Sequence, residues 1–251
     1  MHAPTSTVDE KGWLRPQLVA SWPEVIIVMA LTTGAFLYNA IRGYLHGSST
    51  HFAQLILTDR ALVNMVVKES AILGLMFLYL KRREWTPADF RVRIDLRSSL
   101  LGLVLPVPAT LANMITMVTL FALALLLGGY AGLMDLIAAN KPELTPHSVN
   151  VAWISIIVVC VVNAYLEEIT CTAYFFCQVA ARWGPFAALL LTDMVRMSFH
   201  IYQGPLHMLG IGAVFLVLNG CYWWTRNLWP LVFAHTIVDI FGMGLVKELL
   251  G

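Results

Sequence analysis

Charge is what this sequence has least of. Only 12% of its 251 residues are Asp, Glu, Lys or Arg, while 59% are hydrophobic and mean hydropathy is +0.73. A soluble globular chain carries about a quarter charged residues, so this one lacks the polar surface to cover itself and a water-soluble fold is excluded. The 16 basic and 15 acidic residues leave a net charge of +1, which argues against a nucleic-acid partner. Cysteine is scarce. Cys160, Cys171, Cys177 and Cys221 lie within or at the ends of apolar runs and show no CxxC spacing, so they read as small packing residues. HExxH and EExxH are both missing, which argues against a membrane zincin or a di-iron enzyme. No repeat of solenoid length and no low-complexity tract is present.

What is present is a series of apolar runs, several reaching the roughly 20 residues that a helix needs to cross ~30 Å of hydrocarbon. They predict an all-α, polytopic transmembrane helix bundle of about seven to eight spans. Residues 1–22 contain Pro4 and Pro16 and read as a polar, solvent-exposed or interfacial lead with no cleavable signal peptide. Residues 23–150 hold the N-terminal spans and loops: Pro23–Leu45, Ala61–Leu80, and a long run Ser98–Gly128 that Pro106 and Pro108 should kink or split. Asp135 to Asn150, with Lys141, Pro142 and Pro146, reads as a loop. Residues 151–251 hold spans at about Val151–Ala181, Gly184–Ile201, Pro205–Trp224 and Leu228–Leu249. Trp223, Trp224 and Trp229 read as interfacial anchors.

Lys81, Arg82, Arg83, Arg91, Arg93 and Arg97 make the loop after the second span the most basic. Positive charge is retained inside, so this loop is expected to be cytoplasmic, with the N-terminus, Arg182 and Arg226 on the same side. The expected location is a multi-pass protein of a bacterial inner membrane.

The informative residues are ionisable ones in the later spans, because such a side chain at bilayer depth costs at least ~2.5 kcal/mol and is a functional-site hypothesis by default. Three stripes qualify: Asn163, Glu167, Glu168 and Thr172 in the fourth span; Asp193, Arg196 and His200 in the fifth; His235 and Asp239 in the seventh. Asp193 and Arg196 have a rival reading as a structural ion pair, and His207 and Asn219 read as hydrogen bonds to neighbouring helices. With a turn at Arg182–Pro185, Glu167 and His200 both lie ~25 Å from that turn by helix rise, so an antiparallel hairpin brings them level.

Hydrolysing a peptide within a membrane requires a water, a base to activate it and donors for the oxyanion. Glu167 fits the base. His200, His235 and Asp239 can hold the water, donate to the oxyanion, or bind Zn²⁺; for the metal the candidate ligands are Glu167, His200 and His235. Metal-bound and metal-free versions both stay open.

These residues resemble the CAAX-processing and bacteriocin-processing (CPBP, or Abi) intramembrane proteases. The family's paired glutamates followed by an arginine are similar to Glu167-Glu168-Ile169-Thr170-Cys171-Thr172. Its second motif resembles Arg196-Met197-Ser198-Phe199-His200-Ile201-Tyr202-Gln203-Gly204, and its third His235-Thr236-Ile237-Val238-Asp239, preceded by Leu228-Trp229-Pro230. The resemblance covers about Val151 to Gly242. It implies that Glu167 activates the attacking water beside Glu168, that His200, His235 and Asp239 complete the site, and that the substrate is a membrane-associated or lipid-modified peptide or protein in the bilayer. Thr172 departs from the family by standing where arginine is usual, and Arg196 is the residue expected to supply the missing guanidinium. The alternatives are a non-catalytic membrane scaffold or immunity protein, favoured if Thr172 is disabling, and a transporter using the buried charges as an ion relay, for which no inverted repeat is seen.

Overall fold

The computed structural model describes residues 13–45, 58–86, 88–140 and 151–250. Those residues are helical apart from turns and short connections: a 3₁₀ turn at Pro16–Leu18, then α1 Trp22–Leu45, α2 Asp59–Arg82, α3 Leu96–Val104, α4 Pro106–Asn140, α5 Trp153–Glu167, a π-helix Glu168–Phe176, α6 Cys177–Trp183, α7 Pro185–Phe199, a 3₁₀ turn Ile201–Gln203, α8 Pro205–Thr225 and α9 Trp229–Leu250. Pro4, Lys141, Pro142, Pro146 and the loop residues 141–150 lie outside the described residues.

Local chemistry sets the boundaries. Thr58 caps α2 by accepting from the Ala61 N–H at 3.2 Å. Asp95 and Ser98 form a reciprocal capping box on α3, with Asp95 accepting from the Ser98 N–H at 2.8 Å, a bond that holds the Asp95 carboxyl below its usual range. Gly184 (φ +87°) and Gly204 (φ +91°) end their segments in a conformation that costs glycine little, and Pro185 and Pro205 open the next helices. Pro106 separates α3 from α4, as expected of the third apolar run. α4 breaks at Gly129 (φ +62°), and Asp135 to Asn140 belong to the helical stretch beyond that break rather than forming the start of a loop.

Five helical runs among the described residues are long and apolar enough to cross a membrane: 22–45, 59–82, 96–138, 153–183 and 205–225. The chain is thus an all-helical, multi-pass membrane protein, with a shorter apolar helix at 229–245. The sequence reading of seven to eight spans exceeds this number because the last run counts among the described residues only as that shorter helix and the run at Gly184–Ile201 is realised as a 15-residue helix. At ~22 Å by helix rise, that helix is shorter than the hydrocarbon. The run 96–138 has none of its apolar window buried against the rest of the chain, the surface expected of helices that face lipid.

The core lies around the rod Trp153–Trp183, made of α5, the π-helix and α6. α2 and α9 pack on α5, and α7 packs on the π-helix and α8. The segment 13–20 differs from the exposed or interfacial lead read from the sequence. Trp13, Leu14, Leu18 and Ala20 are buried, with the Trp13 ring 5.3 Å from Phe176 and 6.3 Å from Tyr222. Buried Gln178 holds this segment through the Ala20 N–H at 2.9 Å and the Leu18 carbonyl at 2.8 Å, and Arg182 donates to the Ala20 carbonyl. Apolar side chains and backbone groups with internal partners can leave water together, which the polar composition of the flanking residues conceals.

Candidate active site

Glu167 and Glu168 stand at the midpoint of the rod Trp153–Trp183, where α5 gives way to the π-helix. Wide turns of this kind recur at functional sites, since they re-aim side chains that a regular helix would hold in register. The two adjacent carboxylates have unlike surroundings. Glu168 is fully buried and saturated: one oxygen accepts from Arg196 Nη2 at 2.8 Å and from the Thr172 hydroxyl at 2.8 Å, and the other lies 2.9 Å from His235 Nδ1. Glu167 retains 12% side-chain exposure, and its closest polar contact is the longer one from Arg196 Nη1 at 3.3 Å.

Arg196 approaches from α7, across the Gly184 turn. It is fully buried, donates from Nη2 to Thr172 Oγ1 at 2.9 Å, and its guanidinium carbon sits 4.1 Å from the centroid of Phe215 on α8. An arginine in this setting is tolerable only because carboxylates and a ring face surround it. The structural ion pair with Asp193 does not form. Asp193 is buried with one oxygen lacking a hydrogen-bond partner, while Arg196, three residues on, turns to the glutamates.

His235 projects from α9 with a carboxylate at each ring nitrogen: Glu168 at Nδ1 and Asp239 at Nε2, 3.5 Å away. That arrangement suits a ring that donates from both sides. Asp239 also accepts from Asn163 Nδ2 at 3.1 Å, which ties α9 to α5. Glu167, Glu168, Arg196, His235 and Asp239 therefore form one continuous polar cluster.

His200 was expected inside a helical stripe with Asp193 and Arg196. Instead it ends α7 (φ −99°, ψ 1°) and leads into the 3₁₀ turn. It reaches the cluster through aromatic packing, its ring 6.0 Å from Phe215, which lies edge-on to His235 at 5.2 Å. Its Nε2 is buried with no hydrogen-bond partner among the described residues, and Nδ1 lies 3.5 Å from the Gln203 amide. The Asn219 carbonyl oxygen is 3.2 Å from the Thr172 hydroxyl, a contact between helices of the kind expected. His207 is exposed.

Among the described residues no three His, Cys, Asp or Glu side chains are grouped to hold a metal ion, and both nitrogens of His235 are engaged by carboxylates. Cys160, Cys171 and Cys177 are buried and Cys221 is partly buried, none of them in a disulfide, as packing residues would be.

Two features escaped sequence reasoning. Phe215, an ordinary residue of an apolar run, joins Arg196, His200 and His235. Glu69 is 1% exposed on α2, neither of its oxygens has a hydrogen-bond partner, and it interacts electrostatically with Glu167 and Asp239. Its signal was legible, a carboxylate in the middle of the second apolar run. Beside Glu167, between α1 and α5, lies a cavity of about 20 Å³.

Residues 149–241 match the family model described as type II CAAX prenyl endopeptidase Rce1-like. No curated protein and no solved structure matches the chain significantly.

Proposed function

We propose, from the match of residues 149–241 to the Rce1-like family model, that the chain is a CPBP-type intramembrane endopeptidase in which Glu167 activates water against a peptide bond. The observation that carries the reading is the asymmetry of the glutamate pair. Glu168 spends both oxygens on Arg196, Thr172 and His235, so it anchors the cluster. Glu167 keeps the freer carboxylate, beside a cavity with room for a water.

In the reaction, Glu167 takes a proton from water as the oxygen bonds to the carbonyl carbon. The carbonyl electron pair moves to oxygen, and a donor from the histidine pair neutralises that charge. His200 Nε2, buried without a partner, is the donor left free for this role. His235 is held between Glu168 and Asp239. Collapse of the tetrahedral centre breaks the C–N bond, and the departing nitrogen takes the proton from Glu167. Every step uses this chain's side chains and none requires a metal.

Arg196 does the work of the arginine that the family motif places at 172, its Nη2 lying 2.9 Å from Thr172 Oγ1. This favours a working enzyme over the scaffold reading. The substrate class is a prenylated or otherwise membrane-associated peptide: a prenylated cysteine followed by three residues lets the lipid share the bilayer with the enzyme. Arg15, Arg83, Arg91 and Arg182 gather about the segment 13–24. By the positive-inside rule that end of the bundle is cytoplasmic, in a bacterial inner membrane. The test is cleavage of a prenylated peptide by the purified chain in vesicles, read by mass spectrometry. Release of the three C-terminal residues is expected, and no cleavage of prenylated or unmodified membrane peptides would remove the reading.

A further inference from the structure

The cavity beside Glu167 has a lining that the mechanism above does not use. At about 20 Å³ it exceeds the roughly 10–15 Å³ that one water requires by the same measure. Thr32, Thr33 and Phe36 of α1 form one wall, Asn163, Leu166, Glu167 and Thr170 the other, and Phe199, the neighbour of His200, closes it. α1 lies outside the segment 149–241, so the family match covers only part of this cavity.

Thr170 is the residue that stands out. It is fully buried, and its hydroxyl has no hydrogen-bond partner among the described residues. Three threonines of the regular helices bond back to a carbonyl four residues earlier, Thr32 to Val28 at 2.8 Å, Thr33 to Met29 at 2.7 Å and Thr236 to Val232 at 2.8 Å, while Thr192 of α7, away from this cavity, is buried with its hydroxyl unpartnered among the described residues. Thr170 belongs to the π-helix, where the backbone bonds shift by one residue, and it does not make that bond. A buried hydroxyl left in this way costs about 1–3 kcal/mol, unless something in the cavity bonds to it.

We propose that this cavity holds the water that Glu167 activates, and that Thr170 is the positioning residue that orients it. The inference rests on the hydrolytic reading of Glu167. The donor count narrows the arrangement. The hydroxyl protons of Thr32 and Thr33 are already given to backbone carbonyls, so these oxygens only accept, and the Asn163 amide donates to Asp239, whereas the Thr170 hydroxyl makes no hydrogen bond among the described residues and has its proton free. A water here donates one proton to Glu167 and the other to an α1 threonine oxygen, and accepts one bond from Thr170. One lone pair remains for the substrate carbonyl carbon. When it attacks, the proton passes to Glu167, the carbonyl π pair moves to oxygen, and Thr170 is unchanged.

The test compares Thr170→Val, which keeps the shape and removes the hydroxyl, with Thr170→Ser, which restores it. Both are purified in detergent beside wild type and Glu167→Gln. Valine is expected to lower kcat about tenfold to a hundredfold with KM and melting temperature nearly unchanged, and serine to recover most of kcat. A valine variant with wild-type kcat, or valine and serine variants equally impaired, overturns the role of Thr170. If wild type and Glu167→Gln cleave alike, the hydrolytic reading fails instead. An experimental structure decides the site independently of turnover. Ordered water within hydrogen-bond distance of both Thr170 Oγ1 and the Glu167 carboxylate is expected, and a dry cavity, or one filled by an acyl chain, contradicts it.

Discussion

Arg196 Nη2 lies 2.9 Å from Thr172 Oγ1 and 2.8 Å from Glu168 Oε2, so a guanidinium carried on α7 occupies the place beside position 172 on the facing π-helix. Chain position and spatial position are thereby uncoupled: the charge arrives from a different helix. Arg196→Met leaves Glu168 as a buried carboxylate without its cation, which costs about 3–5 kcal/mol when a buried pair is broken. The expected outcome is a lower melting temperature and loss of cleavage. Adding Thr172→Arg should return part of both. Full activity in Arg196→Met would remove the arginine from the site.

Glu69 gives a prediction of the opposite sign. Its carboxyl is buried on α2 without a hydrogen-bond partner and shares its surroundings with Glu167 and Asp239, so replacing it with methionine exchanges an unsatisfied polar group for an apolar side chain of similar length. Glu69→Met should raise stability by about 1–3 kcal/mol, read from thermal unfolding in detergent. A fall in stability would mean that Glu69 has a partner in the membrane-embedded protein.

The orientation is testable by thiol labelling. Arg97 and Ala138 lie at the two ends of the run 96–138, which breaks at Gly129, and both are exposed. Cysteines placed there, in a background without Cys221, should label from opposite faces of the membrane, Arg97→Cys from the cytoplasmic one. Labelling of both from one face would contradict a single crossing by that run.

Much of the frame was legible before any coordinates. The first two spans were read as Pro23–Leu45 and Ala61–Leu80 and are helices Trp22–Leu45 and Asp59–Arg82, because long apolar runs with caps leave little freedom. Arg196 was expected to supply the guanidinium missing at position 172, and its Nη2 lies 2.9 Å from Thr172 Oγ1. The π-helix was not legible, since apolar periodicity does not report a shift of backbone bonds from four residues to five. Burial of Trp13, Leu14 and Leu18 was hidden because their partners, Phe176, Gln178 and Tyr222, lie more than 150 residues away along the chain. The unequal tasks of Glu167 and Glu168 were assigned by family resemblance. What supports them in physical terms is which oxygens are already bonded.

The central claim is that Glu167 is the base, and its most direct measurement is Glu167→Gln. The amide keeps the size of the side chain but takes no proton from water, while Glu168, Arg196 and His235 retain their mutual bonds. Membranes from cells expressing wild type or the variant at equal levels are compared for new peptide termini, alongside cleavage of a prenylated peptide by the two purified proteins with matched melting curves. The account predicts that termini and cleavage seen with wild type disappear, a fall of at least about 100-fold in rate, with the melting temperature preserved. Cleavage by Glu167→Gln at the wild-type rate would contradict it.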